Sequence, residues 1–356
     1  MSWEARMARP LAIVLAIAVS ASGASADRYS DCDQDADLDR QVRGCTEIIE
    51  RDNQESVSNR AAAYNNRGVA YSDKGEFDRA IADFNNAITL EPEDVAAYSN
   101  RGECYREKGR YDQAIADYDR AIAINPKLAF PYNNRGLAYR NKGDIDRAIA
   151  DYDKALALYP DYAKAFNNRG IAYRDRGEID RAIADYDKAL ALNPEHADAY
   201  SNRASAYLAK GELSRALADF DRAIATGRND ARIYNSRGIV HHKQGEFVRA
   251  IADYTMAIEI KPDYARAYNN RAWAYFKWGK SEMGLPDAER AVQLAPNDPT
   301  MLDTRGRIYL ALGRQREAAA DLRKAVLLKP RLRRSRKPPR KLRDSPSTED
   351  KRFRRN

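Results

Sequence analysis

The chain has 356 residues, 32% of them charged and 9% aromatic, with a net charge of +8. That length accommodates two ordinary domains or one long repeat array. Its three histidines have no metal-ligand spacing to cysteines or carboxylates, and no glycine-rich phosphate loop is present, which excludes the common zinc and nucleotide sites.

The charge is uneven. Residues 331–356 hold 12 Lys/Arg against 3 Asp/Glu, so the tail carries the whole excess and the rest of the chain is close to neutral. Tyrosine dominates the aromatics, with 22 copies against 8 Phe and 3 Trp, the skew expected if one slot is used many times.

In chain order, residues 1–26 read as a signal peptide. Arg6 and Arg9 precede a nine-residue apolar run, Leu11 to Val19, too short to span a bilayer. Ala24-Ser25-Ala26 supplies the small residues of a peptidase site, so a mature chain starting at Asp27 is expected in the periplasm or outside the cell. Cys32 and Cys45 follow closely. In an oxidising compartment they form a disulfide; in the cytosol they are two free thiols. Residues 27–60 read as an N-terminal cap, with 37–51 (DLDRQVRGCTEIIER) resembling a lone second helix of the repeat that follows.

From Ala61, eight units of 34 residues run without a gap to Leu332. Position 4 is aromatic from Tyr64 to Tyr268, with Leu302 in the last unit. Position 8 is Gly or Ala, position 11 is Tyr except His241, and position 15 is always Gly. Position 20 is Ala except Gly284, position 27 is always Ala, and position 32 is Pro except Arg228. Positions 4, 8 and 11 share one helical face, and 20, 24 and 27 share a face of a second helix. Gly at 15 ends the first helix in the left-handed conformation, and Asp78, Asp112, Asp146 and Asp180 put negative charge at the start of the second. Asp161 and Asp263 are expected to cap the helices that follow them. Cys104 and His241 fall in packing slots and read as core residues. Arg228, and Pro286 beside Gly284, are the candidate bends.

This pattern resembles the tetratricopeptide repeat over residues 61–332. The resemblance implies an all-α, right-handed superhelical solenoid of antiparallel helix pairs. It also implies a concave groove lined by first helices, binding of an extended peptide or partner protein, and neither catalysis nor a cofactor.

Two recurrent features go beyond the family frame. Position 7 is Arg and position 23 is Asp in all eight units, which points to a ladder of Arg–Asp pairs; the alternative is a row of solvated charges. Asp175 reads as a solvated charge outside the ladder. Position 6 carries Asn66, Asn100, Asn134, Asn168, Asn202 and Asn270, turned away from the packing face. Such amides can hold a peptide backbone, or simply bond locally.

Arg106, Arg140 and Arg174 at position 12 form a basic stripe, and Trp273 and Phe276 make the far end of the groove apolar. Residues 333–356, rich in charge and Pro, are expected to be disordered. The basic stretch 331–356 could meet anionic lipid or cell-wall polymer, with nucleic acid disfavoured after export, or merely solubilise the chain. The last unit has no extra helix to cap its apolar face, which leaves that end open to self-association. The leading expectation is a peptide-binding scaffold; the alternative is a tail-driven binder of anionic surfaces with the array as spacer.

Overall fold

The computed structural model describes residues 24–328 apart from 35, 52, 53 and 228. Eighteen α-helices and no strand occur among the described residues. The signal-peptide core, the basic tail and the bend at Arg228 all lie outside them. The chain divides into two compact units, Met1–Ile260 and Lys261–Asn356.

The first unit contains a cap and six helix pairs. The cap is α1 (Ala24–Asp33) and α2 (Leu38–Glu50). The lone second helix expected at 37–51 therefore has a first helix before it, and cleavage after Ala26 would remove only the opening residues of α1. Cys32 and Cys45 are disulfide-bonded, joining α1 to α2, and both are fully buried. The pairs are α3 (Val57–Asp73) with α4 (Phe77–Leu90), α5 (Val95–Glu107) with α6 (Tyr111–Ile124), and α7 (Ala129–Lys142) with α8 (Ile145–Leu158). They continue with α9 (Ala163–Asp175) and α10 (Ile179–Leu192), α11 (Ala197–Lys210) and α12 (Leu213–Ala225), and α13 (Ala231–Lys243) and α14 (Phe247–Ile260). From α1 to α14, consecutive helices of this unit pack on one another.

The break inside each pair comes from position 15. Gly143, for example, ends α7 at φ +90, where a side chain would be strained. Position 8 sets how closely the two helices approach. A Cβ on Gly170 would lie 2.6 Å from the Tyr186 ring, and one on Gly136 would lie 2.7 Å from Tyr152. The aromatic at position 24 thus fills the space that a glycine leaves. Phe84, Tyr118, Tyr152 and Tyr186 are all fully buried there, and Phe220 is fully buried in the same slot opposite Ala204.

The expected caps differ in detail. Asp161 and Asp263 do not cap; Tyr162 and Tyr264 occupy the N-cap positions without a side-chain bond. Each Asp stands one residue too early in its loop. Asp94, immediately before α5, does cap, accepting from Ala96 N at 2.8 Å and Ala97 N at 3.2 Å.

The second unit, within its described residues, contains α15 (Ala265–Lys277), α16 (Ser281–Leu294), α17 (Pro299–Ala311) and α18 (Gln315–Leu328). The candidate bend at Pro286 does not break α16, which runs through it unbroken. This pair reverses the packing rule. Ala272 replaces Gly at position 8, Ala288 replaces the aromatic, and Gly284 sits where a Cβ would meet the Ala272 carbonyl at 2.8 Å. The close approach of the two helices is thus kept by a glycine on the second helix instead of the first.

Candidate peptide-binding face

In the first unit, first helices of successive pairs approach one another: α3 with α5, α5 with α7, α7 with α9, α9 with α11 and α11 with α13. No such approach exists between successive second helices among the described residues. The first helices therefore lie on the inner side of this unit, and their outward positions form its candidate binding face.

The arginine ladder frames that face. In all eight units the position-7 guanidinium donates through Nε and Nη2 to both oxygens of the position-23 carboxylate. The pairs run from Arg67–Asp83 to Arg305–Asp321, with distances of 2.6–3.0 Å. This is the fork geometry in which Arg is strongest. The aspartates are buried. Burial pushes the Asp117 and Asp151 carboxyls up against the pull of Arg101 and Arg135.

A third contact adds to the pair. Nη1 of Arg101, Arg135, Arg169, Arg203 and Arg237 reaches Asn85, Asp119, Asp153, Asp187 and Asp221 on the preceding second helix, at 2.5–2.7 Å. Arg67 reaches Thr46 of the cap at 3.0 Å. Each arginine thus ties three helices. Spacing pairs Arg with the Asp 16 residues ahead; the partner 16 residues behind was equally visible at position 25.

The amides at position 6 behave in a related way. Nδ2 of Asn100, Asn168 and Asn202 donates to Oδ1 of Asn65, Asn133 and Asn167, one unit back, at 3.0–3.1 Å. Asn66 donates to the Cys32 carbonyl at 3.4 Å, and Asn134 accepts from Asn133 at 3.0 Å. Asn66, Asn100, Asn134 and Asn168 are buried, and Asn202 and Asn270 half-buried. Their donors hold neighbouring first helices together. Asn100 Oδ1 has no hydrogen-bond partner and is an amide atom left over.

The basic stripe is narrower than its sequence. Arg106 donates to Glu103 at 2.5 and 3.0 Å and also to Glu107, so its charge is neutralised on the spot. Burial alone would raise the Glu103 pKa, but Arg106 and the Tyr118 hydroxyl, 3.2 Å away, outweigh it and hold the carboxyl low. Arg140 Nε donates to Asp175 at 2.8 Å and Arg174 Nη2 to the same carboxylate at 3.2 Å. Asp175 is therefore a partnered residue, not the solvated charge its sequence suggested. One carboxylate serves two guanidiniums, which leaves donors over.

Beneath them lie two hydroxyls that sequence reasoning missed. Tyr152 and Tyr186 are fully buried, and neither hydroxyl has a hydrogen-bond partner. An unsatisfied buried hydroxyl costs roughly 1–3 kcal/mol. Tyr118, in the same slot, uses Glu103; at that position the next two units carry Leu137 and Ile171. The signal was position 24 read together with position 9.

In the second unit, Trp273 and Phe276 stack with ring centroids 5.0 Å apart. Lys277 lies over Trp273 at 5.0 Å, and Lys280 over the exposed Trp278 at 3.6 Å. Val326, Leu327 and Leu328 are exposed at the end of α18.

Other chemistry is sparse. Cys104 is buried, with its thiol pushed up to about 11 by burial, and the buried His241 hydrogen-bonds Glu246 at 2.7 Å. Among the described residues there is no metal-binding cluster, and no helix is long and apolar enough to cross a membrane.

Tetratricopeptide repeat profiles match residues 60–129 and 202–265, 129–162, 151–184 and 254–285, 170–211, and 300–332. The chain belongs to the tetratricopeptide repeat family. Family members are in general non-enzymatic scaffolds for protein–protein interaction. The fold is shared with the Cut9–Hcn1 hetero-tetramer of the APC/C (TM-score 0.59, 16% identity), where the match spans 86% of this chain but 60% of that one. PilF of Pseudomonas aeruginosa gives a TM-score of 0.55 at 19% identity, over 60% and 97% of the two chains. A tetratricopeptide repeat protein from Parabacteroides merdae gives 0.53 at 22%, over 75% and 98%. A search of curated proteins finds no match.

Proposed function

We propose that the chain is a non-enzymatic scaffold that holds an extended peptide or partner protein against the inner faces of its first helices. The observation that carries this reading is an internal contrast. The packing positions repeat almost without change, whereas position 9 runs Val69, Glu103, Leu137, Ile171, Ser205, Ile239, Trp273, Arg307. A constant frame presenting a changing face is what sequential recognition of a chain requires. Arg140 and Arg174 in the first unit, and separately Trp273 and Phe276 in the second, are the proposed contact residues. Arg106 is held by its own carboxylates, and the amides keep adjacent helices in step. The signal-peptide pattern and the closed Cys32–Cys45 pair support a periplasmic or secreted location.

The test is capture from an exported-protein fraction by the full chain and by a chain ending at residue 330. A partner retained by both, and protecting amides within residues 61–328 from hydrogen exchange, supports the scaffold. Capture lost with the tail transfers the function to residues 331–356 and makes the array a spacer.

A further inference from the structure

Independently of the scaffold reading, we propose that the loop joining α4 to α5 receives the C-terminal segment 351–356 of a second copy of this chain, so that the protein associates head to tail.

The loop bounds a cleft of about 600 Å³ within the first unit. Leu90, Val95, Leu128 and Phe130 supply its apolar walls, and Glu91, Glu93 and Asp94 its acidic side. The four apolar residues are half-buried, so each keeps surface for an incoming side chain to cover. The loop reads Glu-Pro-Glu-Asp at 91–94, whereas the equivalent loops read Asn-Pro-Lys-Leu at 125–128 and Asn-Pro-Glu-His at 193–196. Elsewhere on the array Asp78 and Asp112 are met by Lys108 and Lys142. Among the described residues no cation pairs with Glu91, Glu93 or Asp94. Asp94 gives Oδ1 to the start of α5. Burial pushes its carboxyl up against the pull of the Ala97 and Ala96 amides, and Glu91 adds to the push. The negative charge of this cleft is therefore uncompensated.

Apolar walls beside unpaired carboxylates suit a segment that carries cations on both sides of one apolar side chain. Lys351-Arg352-Phe353-Arg354-Arg355 has that pattern, with four positive charges around a single ring. The ring brings a large apolar area to the walls, and the flanking charges complement the acidic side. Residues 329–352 form a tether of up to about 80 Å when extended, long enough to carry the ring to another molecule. Cleft and segment are different patches near opposite ends of the chain. The contact is therefore heterologous, each copy offering one of each, and it links copies in series. Because both partners are exposed charges around a small apolar anchor, salt weakens it.

The test uses the full chain with photoreactive benzoylphenylalanine in place of Phe353, mixed with an equal amount of isotopically heavy chain. The expected crosslinks join position 353 of one isotope to residues 90–96 or 128–130 of the other. Sedimentation equilibrium of the unmodified chain at low salt should show self-association. Glu91→Lys/Glu93→Lys and Phe353→Ala should each weaken it roughly tenfold or more. Glu195→Lys, at the loop position equivalent to Glu93 three repeats later, should leave it unchanged. Circular dichroism checks that the loop variant folds, and Phe353→Ala, outside the array, decides the matter if it does not. Absence of self-association, crosslinks confined to single chains, or variants that associate like wild type would each overturn the proposal.

Discussion

Arg169 and Asp185 show what the repeated charges do. The pair is bidentate at 2.7–2.8 Å, with the aspartate side chain 8% exposed. Burying two charges costs desolvation that their attraction roughly offsets, but removing one partner strands the other. Asp185→Ala is therefore expected to cost about 3–5 kcal/mol, whereas Asp180→Ala, whose side chain is 86% exposed, costs at most about 1 kcal/mol. Urea melts of both variants check this, and equal midpoints would show that the ladder carries no such penalty. Glu103 gives a pH signature. Its folded pKa is lowered, so its contribution is full above its ordinary value of 4.5 and is lost as pH falls through the depressed value. Glu103→Gln should cost about 1.5–3 kcal/mol near pH 7, and the gap from wild type should close in acid. A gap independent of pH would mean that the Arg106 contact does not govern this carboxyl.

At the level of the helix pair, the amides carry a different prediction from the one their sequence invites. Asn168 and Asn202 donate to Asn133 and Asn167 of the preceding first helices. Changing Asn134, Asn168 and Asn202 together to Ala removes those bonds and orphans buried acceptors. Each bond is worth about 0.5–1.5 kcal/mol net, so the triple variant should melt clearly below wild type while remaining helical. An unchanged melting temperature would return the amides to the role of ligand contacts alone. The helix pairs themselves were legible in the sequence, because glycine at 15, small residues at 8 and 20 and aromatics at 4 and 11 have one packing meaning. Much of the candidate face was not. Period 34 shows which residues recur, but not that Asp175 bridges two arginines, nor that Asn amides pair off by one position between neighbours. Those contacts depend on how far adjacent helices are turned, which no single repeat records. The first cap helix was missed for a related reason: its residues follow a leader pattern and do not carry the repeat.

Across the first unit as a whole, most polar ties between pairs share one direction, Arg140 to Asp175 being an exception. Arg101 to Arg237 reach back to the previous second helix, Asn100, Asn168 and Asn202 reach back to the previous first helix, and Lys108 and Lys210 reach back to Asp78 and Asp180 at 2.8 Å. The series begins at the cap, where Arg67 meets Thr46 and Asn66 meets the Cys32 carbonyl beside the disulfide. In a linear array each element is stabilised chiefly by its neighbours. Reducing Cys32–Cys45 should therefore raise amide exchange in α1, α2 and α3 first, with little change in α11 to α14. Uniform loss of protection would instead mean that the array unfolds as one body. This polarity bears on how the protein is made. A chain emerging from its N-terminus builds the receiving surface before the helix that will grip it. Each new pair finds acceptors already in place, as a bricklayer sets each course on the one below.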